Sequence, residues 1–194
     1  MTTWPYPAPV DDGAARHLAA DLEIPDLALP STQGGDVSLA QVPGLSIVFV
    51  YTWTGRPGLA NPPDWDAIPG AHGSTPQAEG FRDLFAEYRA LDAEVFGLSA
   101  QDPGHQREFA LRLALPYPLL SDRGLMFQRA LALPVFETGG VVYLKRLTLV
   151  VRDGLLVRAF YPVHPPHLHA VELLAWLRAE AASPRSWRAP HGPG

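Results

Sequence analysis

The chain has 194 residues, a formal net charge of −5 at pH 7 and 47% hydrophobic residues, which suits one domain with a substantial core. It has no lysine- and arginine-rich run, so we expect no nucleic-acid-binding face. It contains no cysteine, which excludes disulfides, thiolate metal sites and thiol catalysis.

The two ends of the chain differ in composition from its middle. Residues 1–23 are predicted to form an irregular N-terminal arm, and residues 183–194 a flexible tail rich in proline and glycine. One domain is expected over residues 24–182. The first residues lack the basic and apolar regions of a signal peptide, and no apolar run reaches membrane-spanning length. We therefore expect a soluble cytoplasmic protein with no membrane partner.

The first predicted elements are strands. The segments DLALP and DVSLAQV, on either side of STQGG, favour short strands or a hairpin. LSIVFVYTW, residues 45–53, is a continuous apolar run typical of a strand buried on both faces. A loop dense in proline and glycine then runs to residue 73, with residues 55–73 read as an insertion. Loops of this length in compact domains are usually functional or mobile.

Helices and strands alternate after this loop. A helix beginning near Ser74 has its apolar stripe at Phe81, Leu84, Phe85, Tyr88 and Leu91. EVFGLSA, residues 94–100, is the next predicted strand. Asp102 and Pro103 suit the N-cap and first turn of a second helix that runs to about residue 115. YPLLSD favours a short strand and GLMFQRALAL a short helix.

The last part of the sequence predicts a hairpin and a helix. Asp153-Gly154 separates VVYLKRLTLVV from LLVRAFYPV, which is a strong hairpin signal. A final helix over about 166–180 is expected to carry Val171, Leu174 and Leu177 on one side. The resulting order, β-β-β-α-β-α-β-hairpin-α, predicts an α/β protein with a mixed central sheet flanked by helices. A thioredoxin-like fold fits this order.

The start of the first long helix, Ser74-Thr75-Pro76-Gln77, has two interpretations. In one, Ser74 or Thr75 simply caps the helix, with Gln77 completing a capping box. In the other, the unpaired amides and partial positive charge of the helix N-terminus hold an anion or an ionised nucleophile. A serine hydroxyl stays protonated at neutral pH unless a base lies beside it, so serine differs here from cysteine.

Several segments, in this order, resemble those of a peroxiredoxin over about residues 24–180. Residues 73–79, GSTPQAE, occupy the register of the bacterial motif Gly-Cys-Thr-Pro-Gln-Ala-Cys, and Phe-Arg-Asp follows at 81–83. Further similarity lies in YTWTGRPG, VFGLSAQD, LPYPLLSD, YLKRLTLVVRDG and FYPVHPP. The resemblance implies a thioredoxin-fold thiol peroxidase that reduces hydrogen peroxide and alkyl hydroperoxides without a cofactor. It also implies an external reductant, either thioredoxin-like or a low-molecular-weight thiol.

The resemblance also assigns individual positions. Ser74 takes the place of the peroxidatic cysteine, and Glu79 that of the resolving cysteine that some relatives carry. Arg146 matches the family arginine that reaches the active site from a strand. Thr54 is the candidate for the pocket threonine, displaced by the insertion, whereas Thr52 stands where related sequences would have proline.

Three interpretations of Ser74 remain at this point. It is an engineered replacement of cysteine that mimics the reduced site, or the mark of a natural relative that lost peroxidase activity. In the second case the chain is a non-catalytic binding or sensing module that retains an anion-binding pocket. Hydrolytic chemistry is the weakest interpretation, because HGST is not a nucleophile elbow. As written, the chain is expected to be inactive as a thiol peroxidase.

Histidines and aromatic residues offer weaker signals. His164, His167 and His169 lie within HPPHLH, and His72 is next to Gly73. Zinc or copper would suit imidazole ligands, but this spacing matches no standard helical pair, so we expect solvated histidines and no metal site. The aromatic side chains of Tyr51, Trp53 and Trp65 either line a pocket or pack in the core and loop.

Overall fold

A computed structural model describes residues 4–182, so the predicted tail at 183–194 lies outside the described residues. The elements run in the order β1 (Leu29–Pro30), β2 (Asp36–Val37), β3 (Leu45–Val50), α1 (Ser74–Asp83), α2 (Phe85–Arg89), β4 (Ala93–Ser99), α3 (Pro103–Arg112), β5 (Leu119–Ser121), α4 (Met126–Leu131), β6 (Val135–Thr138), β7 (Val141–Leu144), β8 (Leu147–Arg152), β9 (Leu155–Phe160) and α5 (His169–Ala182).

A five-stranded mixed sheet, in the order β5-β4-β3-β8-β9, forms the centre of the fold. β3 pairs parallel with β4 and antiparallel with β8. All six residues of β3 are buried, because Ile47 and Phe49 face one hydrophobic cluster while Val48 and Val50 face another. The predicted α/β class, with a mixed sheet flanked by helices, is confirmed.

The Asp153-Gly154 hairpin also forms as predicted, between β8 and β9. Both residues have positive φ, 47° and 79°, as a two-residue type I′ turn requires. Asp102 caps α3 as expected, since its carboxylate accepts a hydrogen bond from the Gly104 amide at 2.8 Å. α3 ends at Arg112, three residues earlier than the sequence suggests.

The expected helix over residues 74–91 is divided. Leu84, with φ −102° and ψ 9°, separates α1 from α2. Past this break, Tyr88 lies fully buried and donates a hydrogen bond to the Ala170 carbonyl at the start of α5. The apolar stripe therefore continues across two helices whose common partner is α5.

Two further expectations need correction. The run VVYLKRLTLVV is not one strand, because it breaks at Lys145 and Arg146 into β7 and β8, and β7 pairs instead with β6 in a separate hairpin. In α5, Val171 is 50% exposed rather than part of the buried stripe. The buried residues are His169, Ala170, Leu173, Leu174 and Leu177, and from Ala170 onward they follow the helical i, i+3, i+4, i+7 pattern.

The long connection from β3 to α1 is fixed against the β6–β7 hairpin. Trp65 and Ala71 from this connection form a buried cluster with Tyr143 of β7, and Ile68 packs at its edge. The Thr138 hydroxyl of β6 donates to the Pro63 carbonyl at 2.7 Å. The loop therefore returns the chain to the carboxyl end of β3, where α1 begins.

Packing between the sheet and α1 gives a first prediction. Phe49 stacks on Phe81 of α1 with ring centroids 4.6 Å apart. A Cβ at Gly97, on the neighbouring strand β4, would lie 2.9 Å from the Phe49 ring and overlap Leu119. We expect Gly97→Ala to lower the free energy of unfolding by about 1–3 kcal/mol through overpacking, measured by urea denaturation.

Gly124→Ala is the matched control, because its nearest neighbour would be 3.7 Å away and its φ is not positive. Its effect should stay within about 0.5 kcal/mol. Equal stability of the two variants would contradict this account of the packing.

Candidate active site

Ser74 is the first helical residue of α1 and is buried, with 4% of its surface exposed. The N-cap is Gly73, in the left-handed region at φ 113°, and no side chain caps the helix. A Cβ at Gly73 would overlap the Pro166 ring and lie 3.1 Å from Trp4, so both the conformation and the space favour glycine. The predicted capping box is therefore wrong: Ser74 and Gln77 do not bond to the helix amides and are available for other contacts.

Those contacts converge on Arg146. This side chain is 3% exposed and comes from the break between β7 and β8 rather than from a strand. Its Nη2 donates to Ser74 Oγ and to the His72 carbonyl, both at 3.2 Å. Its Nη1 donates to Gln77 Oε1, one turn further along α1. One guanidinium thus binds the serine, the helix and the end of the preceding loop.

The threonine next to Ser74 is Thr52. Its hydroxyl donates to the Ala71 carbonyl at 2.7 Å and lies 3.2 Å from Ser74 Oγ. Thr54, the residue predicted from the sequence, lines the cleft in front of Ser74 but does not bond to the serine, because its amide and hydroxyl both donate to Gln101 Oε1. Thr52 is closer because it lies two residues past the end of β3, whose carboxyl end adjoins α1, whereas the chain at Thr54 has moved towards the segment after β4.

The charge of Arg146 has no ionic partner. Among residues 4–182, no carboxylate lies within ion-pair distance of its guanidinium, and the acceptors around it are neutral. Burial lowers the pKa of Arg146 to about 9, which leaves it cationic at neutral pH. Its Nε and the Nε2 of Gln77 are buried without a hydrogen-bond partner in the described part of the chain. A buried cation of this kind favours a nearby anion or strong acceptor.

Ser74 borders a cleft of about 220 Å³ with aromatic walls. Trp53 and Trp65 come from the loop, while Trp4 and Tyr6 come from the N-terminal arm. Tyr6 stacks on His72 with ring centroids 3.6 Å apart, which holds the arm beside the helix tip. Tyr51, in contrast, is buried in the core under the sheet. Sequence patterns did not point to Trp4 or Tyr6 as site residues, because neither belongs to a periodic signal. Gln77 stood in the motif at the helix start, but as a capping residue rather than as a partner of Arg146.

Glu79 lies further along α1, half-buried and outside the cleft lining. As a carboxylate it has no disulfide chemistry with residue 74.

The histidines of HPPHLH separate in the structure. His164 is exposed, His167 stacks on Trp4, and His169 is buried with its Nε2 2.8 Å from the Thr148 hydroxyl. Among the described residues, no group of three or more histidine, aspartate or glutamate side chains is arranged to hold a metal ion.

His169 generates a pH prediction. Burial, helped by the charge of Arg146, lowers its pKa to about 4, compared with about 6.5 in the unfolded chain. Between about pH 6.5 and pH 4, His169 is therefore protonated in the unfolded state but neutral in the folded state. The free energy of unfolding should fall as the pH drops through this range. The loss attributable to this residue should be about 3 kcal/mol.

The comparison variant is His169→Gln, whose amide can still bond Thr148 but does not titrate. Denaturant unfolding of both proteins between pH 7 and pH 4 should give a flatter stability curve for the variant. Parallel curves would show that His169 titrates normally.

The chain is similar in sequence to proteins of known family. The Redoxin family profile matches residues 19–174. Peroxiredoxin Q of Gentiana triflora, a chloroplast protein, is 29% identical over 155 residues, covering 80% of this chain and 64% of that protein. Peroxiredoxin Q of Oryza sativa subsp. japonica is 27% identical over 186 residues, covering 92% of this chain and 79% of the rice protein. The chain thus spans just under two thirds of the Gentiana relative's length.

Solved structures show the same relationship. Bacterioferritin comigratory protein of Xanthomonas campestris, described for alkyl peroxide reduction, has a TM-score of 0.66 and 25% identity, covering 84% of this chain and 99% of its own. A cysteine-to-serine mutant of Xanthomonas campestris peroxiredoxin Q matches with the same TM-score and identity, covering 84% and 98%. No helix within residues 4–182 has the length and apolarity needed to cross a bilayer. The family match over residues 19–174 shows that this cysteine-free chain belongs to the redoxin family, and the relatives and solved structures that it resembles are peroxiredoxins.

Proposed function

We propose that this chain binds a hydroperoxide, or a similarly small oxygen-bearing anion, at Ser74 and Arg146 without reducing it. The observation that supports this most directly is the 3.2 Å contact between the Ser74 hydroxyl and the buried, uncompensated Arg146 guanidinium at the start of α1. The first turn of a helix also offers amides that have no partner within the helix. Together these donors form a cradle for oxygen atoms that carry negative charge.

The cleft suits a small ligand. Its volume of about 220 Å³ lies below the usual range for drug-sized molecules, about 300–1,000 Å³. The aromatic rings of Trp53 and Trp65 give the cleft apolar surface in addition to its polar groups. An alkyl group on one side and a peroxide or carboxylate oxygen on the other would match these two surfaces.

The absence of reduction follows from the chemistry of serine. In a thiol peroxidase the thiolate attacks one peroxide oxygen, the O–O bond breaks, the sulfur becomes a sulfenic acid, and the departing alkoxide takes up a proton. A serine hydroxyl is not oxidised in this way and is not ionised at neutral pH without an adjacent base. Within residues 4–182, the groups at hydrogen-bond distance from Ser74 Oγ are the Thr52 hydroxyl and the cationic Arg146 guanidinium, and neither serves as that base.

Restoring the sulfur is the sharpest test of this arrangement. We expect Ser74→Cys to consume hydrogen peroxide when dithiothreitol is present, because Arg146 and the helix N-terminus would stabilise the thiolate. Dithiothreitol would return the sulfenic acid to a thiol, releasing water and forming its own disulfide. The initial rate should exceed that of the unaltered chain by about 100-fold or more, measured as peroxide loss.

Thr75→Cys is the matched control, because it places a thiol on the same helical turn and the same cleft but without a hydrogen bond to Arg146. It should remain near the unaltered chain. A Ser74→Cys protein that is folded yet no faster than Thr75→Cys would remove the peroxidase-like character of the site.

Binding by the unaltered chain needs its own measurement. Titration with tert-butyl hydroperoxide, and separately with formate, should change tryptophan fluorescence in a saturable way, because Trp4, Trp53 and Trp65 line the cleft. Ser74→Ala should weaken binding about tenfold, which corresponds to one lost hydrogen bond to a polar ligand. If neither probe gives a saturable change, the binding function is refuted.

A further inference from the structure

A second cavity lies between the N-terminal arm and the loop before α1. Its volume is about 340 Å³, within the lower part of the range for small-molecule sites. We call it the arm cavity. None of its lining residues lines the cleft in front of Ser74. Its apolar walls are formed by Pro9, Val10, Ile68, Pro69, Phe136 and Pro162.

Two charged residues in the polar lining of the arm cavity neutralise each other. Lys145 forms an ion pair with Asp12 at 2.6 Å, and the Tyr161 hydroxyl donates to the other oxygen of the same carboxylate at 2.8 Å. The hydrogen bond from Lys145 lowers the pKa of Asp12 most strongly, so this carboxylate is ionised. Its negative charge balances that of the ammonium group, and the pair contributes no net charge to the cavity.

The other part of the polar lining is Arg146, with Thr52 beside it. Arg146 is buried and cationic, its acceptors are all neutral, and its Nε has no hydrogen-bond partner among the described residues. The arm cavity therefore has apolar walls and one net positive charge. A neutral apolar ligand would leave that charge uncompensated, while a dianion would place its second charge near Asp12.

We propose that the arm cavity binds a small monocarboxylate with an apolar body, its carboxylate directed at Arg146 and its body packed on Ile68 and Phe136. The residues that line this site differ from those that line the cleft at Ser74, but the proposed function of that cleft uses the same arginine. The hydrogen bonds of Arg146 to Thr52 and Ser74 connect the two regions.

The isoleucine content of the chain provides a direct probe. Isoleucine occurs only at positions 24, 47 and 68. Ile68 lines the arm cavity, whereas Ile24 and Ile47 are buried in the core clusters. The three δ-methyl signals in an NMR spectrum of isoleucine-labelled protein therefore contain one reporter of the cavity and two reporters of the intact fold.

Titration with hexanoate should shift the Ile68 methyl signal in a saturable way and leave the Ile24 and Ile47 signals in place. The neutral probe 1-hexanol should bind at least about tenfold more weakly, because it lacks the charge that compensates Arg146. Asn61→Ala, at a residue that lines the Ser74 cleft but not the arm cavity, should bind hexanoate as the unaltered chain does, which separates this site from the Ser74 cleft.

Two charge variants complete the test. Arg146→Met should weaken hexanoate binding at least tenfold, whereas Asp12→Asn should strengthen it, since the asparagine leaves the Lys145 ammonium unpaired beside the ligand. Asp12 is exposed, so its replacement should not disturb the core even if Arg146→Met proves unstable. The inference is overturned by the absence of a saturable Ile68 shift, by equal binding of hexanoate and 1-hexanol, or by weaker binding in Asp12→Asn.

Discussion

The arrangement around Ser74 depends on one buried guanidinium. Arg146 reaches α1, the carbonyl groups before it and the residue that follows β3, so it connects parts of the chain that are about 70 to 95 positions apart. It does so from a break between two strands, where the backbone turns from the β6–β7 hairpin into the central sheet. A cation fixed in this way concentrates positive potential at the helix start, because the low polarity of its surroundings screens it weakly.

Periodic patterns predicted most of the fold because they report which face of an element is buried. The continuous run at 45–53, the Asp153-Gly154 turn and the Asp102 cap all depend on local chemistry, and each element formed, although the strand ends at Val50. The errors arose where the local pattern does not indicate which strand a segment pairs with. The run VVYLKRLTLVV keeps the same apolar character on both sides of Lys145, so nothing in it marks the point at which the chain leaves one hairpin for another sheet.

The site was less predictable than the fold. The motif around residue 74 and the arginine at 146 were found by resemblance, and the structure brings them together. Choosing between Thr52 and Thr54 required knowing where β3 ends relative to α1, which is a tertiary distance rather than a sequence spacing. Trp4 and Tyr6 could not be predicted as site residues, because the irregular proline-containing segment that holds them has no periodicity. In the structure their rings stack on His167 and His72 and line the cleft.

Arg146 lines the arm cavity and reaches the Ser74 cleft through its hydrogen bond to Ser74 Oγ, so ligands in the two places should affect each other. A guanidinium offers five N–H donors in a rigid planar fork, and here most of them already face neutral oxygens. An anion bound in either the Ser74 cleft or the arm cavity would compensate the positive charge of Arg146, which is the charge that attracts an anion to the other site. Binding of one anion should therefore weaken binding of the other, and thermodynamic reciprocity requires the two affinities to fall by the same factor.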